Sequence, residues 1–90
     1  MLFEWDPHKA RSNLAKHGVS FEEAVTAFAD PLSFTRFDPD HSVDEDRFLL
    51  LGATQSGRLV VVAHTDRGES IRIINARLAS TRERRAYAGG

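Results

Sequence analysis

The chain has 90 residues, no cysteine, a hydrophobic fraction of 41% and a formal charge of −1. These values exclude disulfide frameworks, thiolate metal sites and a cysteine nucleophile, and they suit one folded domain with a modest core. Met1–Asp6 has no basic segment ahead of an apolar one, and the longest apolar runs, Phe48–Leu51 and Leu59–Ala63, are far too short for a bilayer. A soluble cytoplasmic protein with no membrane contact is expected.

Leu2–Trp5 favours a short strand. Asp6 is placed to cap a helix that begins with Pro7 and stops at Gly18, so a helix is expected over Pro7–His17. Ala10 and Leu14 are its inward residues, with Trp5 stapling its start. Lys16 and His17 form a candidate acid–base pair, or else they cap the negative end of the helix dipole. Ser20-Phe21-Glu22-Glu23 is a capping box. Phe21, Ala24, Val25 and Phe28 follow at helical spacing, which predicts a second helix over residues 21–29 before Asp30-Pro31.

Four strands are expected next, over residues 32–37, 47–54, 58–65 and 70–76, joined by an acidic loop and two glycine-containing turns. Ser80-Thr81-Arg82-Glu83, a second capping box, opens a basic C-terminal helix, and Gly89-Gly90 should fray. The fold class is therefore α+β in the order β-α-α-β-β-β-β-α. Two helices should cover one face of an antiparallel sheet, leaving the other to solvent or a ligand. Phe21, Val25, Phe28, Leu50, Val62 and Ile73 are the expected core. A two- or four-residue last turn pairs Thr65 with Ser70 and His64 with Ile71. Val60, Val62, His64, Ile71, Ile73 and Asn75 then share one face, and Leu59, Val61, Ala63, Arg72, Ile74 and Ala76 the other.

Charge is spread unevenly. Residues 67–90 carry Arg67, Arg72, Arg77, Arg82, Arg84 and Arg85 against Glu69 and Glu83, a formal +4, while residues 1–66 sum to −5. The planar fork of arginine matches phosphate oxygens in pairs, so this end suggests a polyanion, with RNA or DNA first. For Arg82, Arg84 and Arg85 the alternative is plain solvation of a terminal helix. Arg72 lies among β-branched residues and requires either a bound anion or an acid such as Glu45 or Asp46. Arg77, at the strand end, reaches phosphate at little desolvation cost. His64 is a candidate general base or a structural strand-end residue. Glu69 and Glu83 stand among arginines and either accept a proton or orient guanidinium groups. The acidic stretch Asp38–Asp46 lacks the glycine and closing glutamate of a calcium loop, and no histidine pair has zinc spacing. It reads as a solvated loop or a contact for a basic partner, and no metal or cofactor is expected.

Several segments together resemble the BrnT toxins. They are Phe3-Glu4-Trp5-Asp6, Asn13-Leu14-Ala15-Lys16-His17-Gly18-Val19-Ser20-Phe21-Glu22-Glu23-Ala24, Asp38-Pro39-Asp40-His41, Arg47-Phe48, Gly52, Leu59–Thr65, Arg72–Ala79 and Glu83-Arg84-Arg85-Ala86-Tyr87. The resemblance spans nearly the whole chain, and one departure is Asn75, where serine is expected in many relatives. It implies a type II toxin with a RelE-like fold and ribonuclease activity. Its partner would be a BrnA-like ribbon-helix-helix antitoxin, through whose complex alone it meets operator DNA. Arg72, Arg77, His64, Glu69 and Glu83 are then the candidate catalytic residues, and Arg67, Arg82, Arg84, Arg85 and Lys16 the candidate RNA contacts. Metal-free cleavage would use the ribose 2′-OH as nucleophile, with arginines stabilising the charged phosphorus centre. The rival expectation is a non-catalytic nucleic-acid-binding or adaptor module built on the same arginines.

Overall fold

Asp6 caps the first helix through its carboxylate, which accepts from the His8 N–H at 2.8 Å, and Pro7 occupies the first turn. Helix α1 (Pro7–His17) ends where Gly18 adopts φ 69° and donates its N–H to Leu14 O. The Ser20 hydroxyl caps helix α2 (Phe21–Thr26) by accepting from Glu23 N–H at 3.0 Å. A single 3₁₀ turn, Ala27–Ala29, follows, so the α-helix is shorter than its apolar spacing predicts. Strands β1 (Leu2–Glu4), β2 (Phe34–Phe37), β3 (Phe48–Ala53), β4 (Leu59–Arg67) and β5 (Ser70–Leu78) form one sheet, and α3 (Thr81–Gly89) closes the chain. This computed structural model describes residues 1–89, so Gly90 of the expected frayed end lies outside the described residues. No described helix is long and apolar enough to cross a membrane.

The result is an α+β fold with a five-stranded sheet in the order β1-β5-β4-β3-β2. The sheet is mixed rather than antiparallel throughout. Phe3 of β1 lies beside Ile71 of β5 in a parallel pair, and the other three pairings are antiparallel. An alternating pattern specifies a strand but carries no information about which edge receives a segment nearly seventy residues away.

The hairpin register also differs from expectation. Arg67 pairs with Ser70 around a Gly68-Glu69 turn, which sets Thr65 opposite Arg72 and His64 opposite Ile73. Between His64 and Ala63 the partner jumps from Ile73 to Asn75, so Ile74 is an extra bulged residue. The bulge turns the rest of β5 over. Ala76, opposite Val62, joins the helix-covered core, while Asn75 and Arg77 face out beside Ala63 and Val61.

The main core joins Val19, Phe21, Ala24 and Ala27 to Leu50, Val60, Val62, Ile73 and Ala76, with Val25 and Phe28 half-buried against it. A smaller cluster on the outer face, Leu51, Leu59 and Val61, is covered by Ala79 and Tyr87. Helix α3 thus occupies part of the face left to solvent or ligand by the sequence pattern. Gly52 is fixed by contact, since a Cβ there would stand 2.9 Å from Ser33 Cβ and 3.0 Å from Ala27 O.

Ala10 packs against the core as expected, but Leu14 is half exposed and the buried residue of α1 is Asn13. Its amide donates to Val19 O (2.9 Å) and Ala76 O (2.8 Å) and accepts from Ala76 N–H (3.0 Å). Since β1 pairs only as far as Arg72, this side chain continues the ladder along the open part of β5. Asn13→Ala leaves two buried backbone groups of Ala76 unpaired and should destabilise the protein by about 3 kcal/mol in urea unfolding. Asn13→Asp, which loses both donations and sets a carboxylate against Ala76 O, should cost at least as much.

A second anchor gives a pH signature. The Glu23 carboxylate accepts from Arg58, Thr54 and Ser56, and chiefly the Arg58 hydrogen bond holds its pKa at about 2. A lowered carboxylate pKa contributes stability that is complete above about 4.5 and is lost as pH falls through about 2. Urea titrations between pH 6 and 2 should show this loss, and Glu23→Gln should flatten it.

Candidate functional site

The bulge decides which side chains meet on the outer face. Arg77 and Asn75 project there from β5, beside Leu49 and Ala63 from the two central strands. The segment between β2 and β3 closes the same hollow with Asp38, His41 and Arg47. This loop is built, not merely solvated. Asp38 N–H donates to Arg47 O (2.8 Å), and the Ser42 hydroxyl accepts from Arg47 N–H (2.9 Å) and donates to Asp38 O (2.5 Å). A 3₁₀ turn, Pro39–His41, then carries the imidazole back over Asp38.

His41 Nδ1 lies 2.9 Å from Asp38 Oδ2. The carboxylate is nearly buried, at 13% exposure, and the imidazole is largely open at 66%. With Nδ1 carrying the proton toward Asp38, Nε2 is left as a free acceptor at the solvent side. Arg77 is held in two-pronged fashion by Glu83, Nη1–Oε1 at 2.7 Å and Nη2–Oε2 at 2.9 Å. Glu83 in turn belongs to the second capping box, exchanging bonds with Ser80. The Arg77 bonds are the main reason the Glu83 carboxyl stays near pKa 2, and the same contact raises the pKa of Arg77.

This hollow continues in both directions. Asn75 and Arg77 also border a hollow along α1 with Lys9, Lys16 and His17. Leu49 borders another beneath α3, with Phe34, Arg36, Arg82 and Glu83. The three hollows adjoin through shared lining residues, running from Lys9 and Lys16 of α1 at the β5 edge onto the outer face with Arg77, Arg47, Arg36 and Arg82, against Asp38 and Glu83. Single guanidinium and ammonium groups spaced along a groove suit a phosphodiester chain. Among the described residues, no group of three or more His, Asp or Glu is placed to ligate a metal. A larger hollow, about 720 Å³, lies elsewhere, between Phe3, Val25 and Phe28. It is apolar, and its one acid, Asp30, is bonded to Ala53 N–H, Leu32 N–H and the Tyr87 hydroxyl.

The residues singled out in the sequence are dispersed by the fold. Arg77 and Glu83 meet in the groove, and Lys16 and Arg82 lie at its two ends. His64 is 5% exposed on the helix-covered face, its Nδ1 3.1 Å from Val62 O and its ring edge-on to Phe28 at 4.9 Å. Burial pushes its pKa below the usual histidine value. Arg72 pairs with Glu4 across the parallel strands, its Nε and Nη2 each 3.1 Å from Oε2. The acidic partner is thus on β1, not Glu45 or Asp46 in the loop. Arg67 and Glu69 sit exposed at the β4–β5 turn, and Arg84 and Arg85 line a separate hollow on the other side of α3. Sequence reasoning passed over Asp38, His41 and Arg47. The available signal was a histidine three residues after an aspartate across a proline, a spacing that one tight turn closes.

The family described as the ribonuclease toxin BrnT of a type II toxin–antitoxin system matches residues 5–83. The crystal structure of the Brucella abortus ribonuclease toxin BrnT superposes with a TM-score of 0.60 at 25% identity, covering 90% of this chain and 100% of that one. No curated protein matches the sequence.

The Arg77–Glu83 contact ties α3 to the groove and should loosen in acid. Its contribution is complete above about pH 4.5 and is lost as pH falls through about 2. Protection factors of the α3 amides, taken against intrinsic exchange at each pH, should fall across that window in the native protein, and Glu83→Gln should show low protection already at neutral pH.

Proposed function

Because the chain belongs to the BrnT family of ribonuclease toxins, we propose that it is the toxin of a type II toxin–antitoxin pair, an endoribonuclease that cuts mRNA in the outer groove and so stops translation. The observation that carries this reading is the Asp38–His41 pair sharing one hollow with Arg47 and Arg77. A free imidazole nitrogen beside two guanidinium groups is the minimum set for moving a proton while stabilising a charged phosphorus centre.

In this mechanism the scissile phosphate lies between Arg47 and Arg77. His41 Nε2 accepts the proton of the adjacent ribose 2′-OH as that oxygen attacks phosphorus. The bond from phosphorus to the 5′ oxygen breaks, giving a 2′,3′-cyclic phosphate and a 5′-hydroxyl whose proton comes from water. Asp38 stabilises the imidazolium, and Glu83 keeps Arg77 extended for the phosphate. His41 takes the role of base in preference to His64, Glu69 or Glu83, since of these four it alone offers an exposed imidazole nitrogen in the groove. Arg72, paired with Glu4, acts on this reading through the sheet. The helix-on-sheet arrangement also suits a RelE-like relationship. A BrnA-like antitoxin would neutralise the toxin by laying an acidic or amphipathic segment along the groove, with operator DNA reached only through that complex.

Purified protein should cut single-stranded RNA in the presence of EDTA, leave DNA intact and yield cyclic phosphate ends. His41→Ala should lower the rate by about 10²–10⁴-fold while melting like the native protein. Arg77→Ala should lower it by roughly 10²–10³-fold. Salt-sensitive RNA binding without any scission would instead assign the chain to the non-catalytic binding modules.

A further inference from the structure

Phe34 and Arg36 alternate onto the outer face of edge strand β2, opposite Leu51 and Leu49. Phe34 is 44% exposed. Of the six phenylalanines, the other five each meet an aromatic neighbour edge-on, and among the described residues Phe34 meets none. Arg36 beside it, and Arg82 across the hollow on α3, form no ion pair among the described residues, whereas Arg58, Arg72 and Arg77 each hold an acid. The acid that lines the same hollow, Glu83, is already engaged by Arg77 and Ser80. The hollow measures about 270 Å³, just below the usual ~300–1,000 Å³ of drug-sized sites, so it suits one flat ring rather than two. It adjoins the His41 hollow through Leu49.

We propose that this cleft is a base subsite of the RNA groove: one unpaired base stacks on Phe34 while Arg36 and Arg82 hold the phosphates on either side of it. The inference rests on the reading of the groove as an RNA site. An unpaired aromatic face between two unpaired guanidiniums is the arrangement that single-stranded nucleic acid rewards, because every base has a π-face and every linkage a charge. Stacking of this kind selects weakly among bases and strongly against a missing one. Purines, with more ring area, should be moderately preferred at this position.

The test walks a single abasic ribose along a short RNA. With the native protein one position should raise KM by about ten- to a hundredfold, leaving kcat close to unchanged. Phe34→Ala should erase the penalty specific to that position by imposing it on every oligonucleotide, and Phe34→Trp should restore the native pattern. Arg36→Ala should reduce the slope of log affinity against log salt by about one. Binding is read separately with a 2′-O-methyl oligonucleotide carrying 2-aminopurine, whose fluorescence is quenched on stacking. Quenching lost in Phe34→Ala supports the subsite even if no RNA is cut, in which case the ribonuclease reading fails alone. A native enzyme that cuts RNA through His41, with the abasic pattern and quenching unchanged in Phe34→Ala, overturns the subsite and leaves the exposed strand to a protein partner.

Discussion

Strand β5 is the element on which the groove depends, and beyond β1 its edge is met at Ala76 by one side chain. Strand β1 pairs only with Ser70–Arg72. Beyond that point Asn13 supplies both a donor and an acceptor to Ala76 and a further donor to Val19, joining α1, the start of α2 and β5 in a buried polar contact. An amide can do this because it mimics a peptide group, and burial makes each unsatisfied alternative expensive. The residues flanking Ala76 are Asn75 and Arg77. The orientation of the groove's central cation is therefore set from behind, by a helix on the opposite face of the sheet.

From the front, the same cation is set by α3. That helix is held by apolar contact of Ala79 and Tyr87 with Leu51, Leu59 and Val61, and by the Tyr87 hydroxyl on Asp30 at 2.6 Å. Its first turn then delivers Glu83 to Arg77. A guanidinium fixed at both prongs by a carboxylate loses little freedom when it meets a phosphate, which favours a pre-organised charge over a flexible one. The exposed His41 contrasts with this rigidity. It rides on a short turn, bonded to Asp38 above the Ser42 hydroxyl bonds.

Local features were legible because their causes are local. Asp6, Pro7, Gly18, the Ser20 cap and the reciprocal Ser80–Glu83 box bound their helices through bonds that span a few residues, whereas the Glu23 carboxylate leaves the first box for Arg58. The strands were legible from alternation, and Phe21, Leu50, Val62 and Ile73 lie in the core. What escaped was decided at a distance or by backbone geometry. The parallel docking of β1 pairs the two ends of the sequence, and a polar inward residue such as Asn13 looks like surface until its partner is placed. The bulge at Ile74 consumes one residue of the alternation, so it put Asn75 and Ala76 on faces opposite to those expected. The acidic loop read as solvent-facing because its charge count hides that one of its acids, Asp38, is buried against a histidine.

The parallel β1–β5 pairing also orders biosynthesis. Leu2, the first residue of the sheet, finds its partner only at Ser70, and the Arg77–Glu83 contact is encoded later still. Contacts so distant in sequence form late and slowly, since the loop between them must close first. A nascent or prematurely ended chain therefore lacks both the closed sheet and the charged end of the groove.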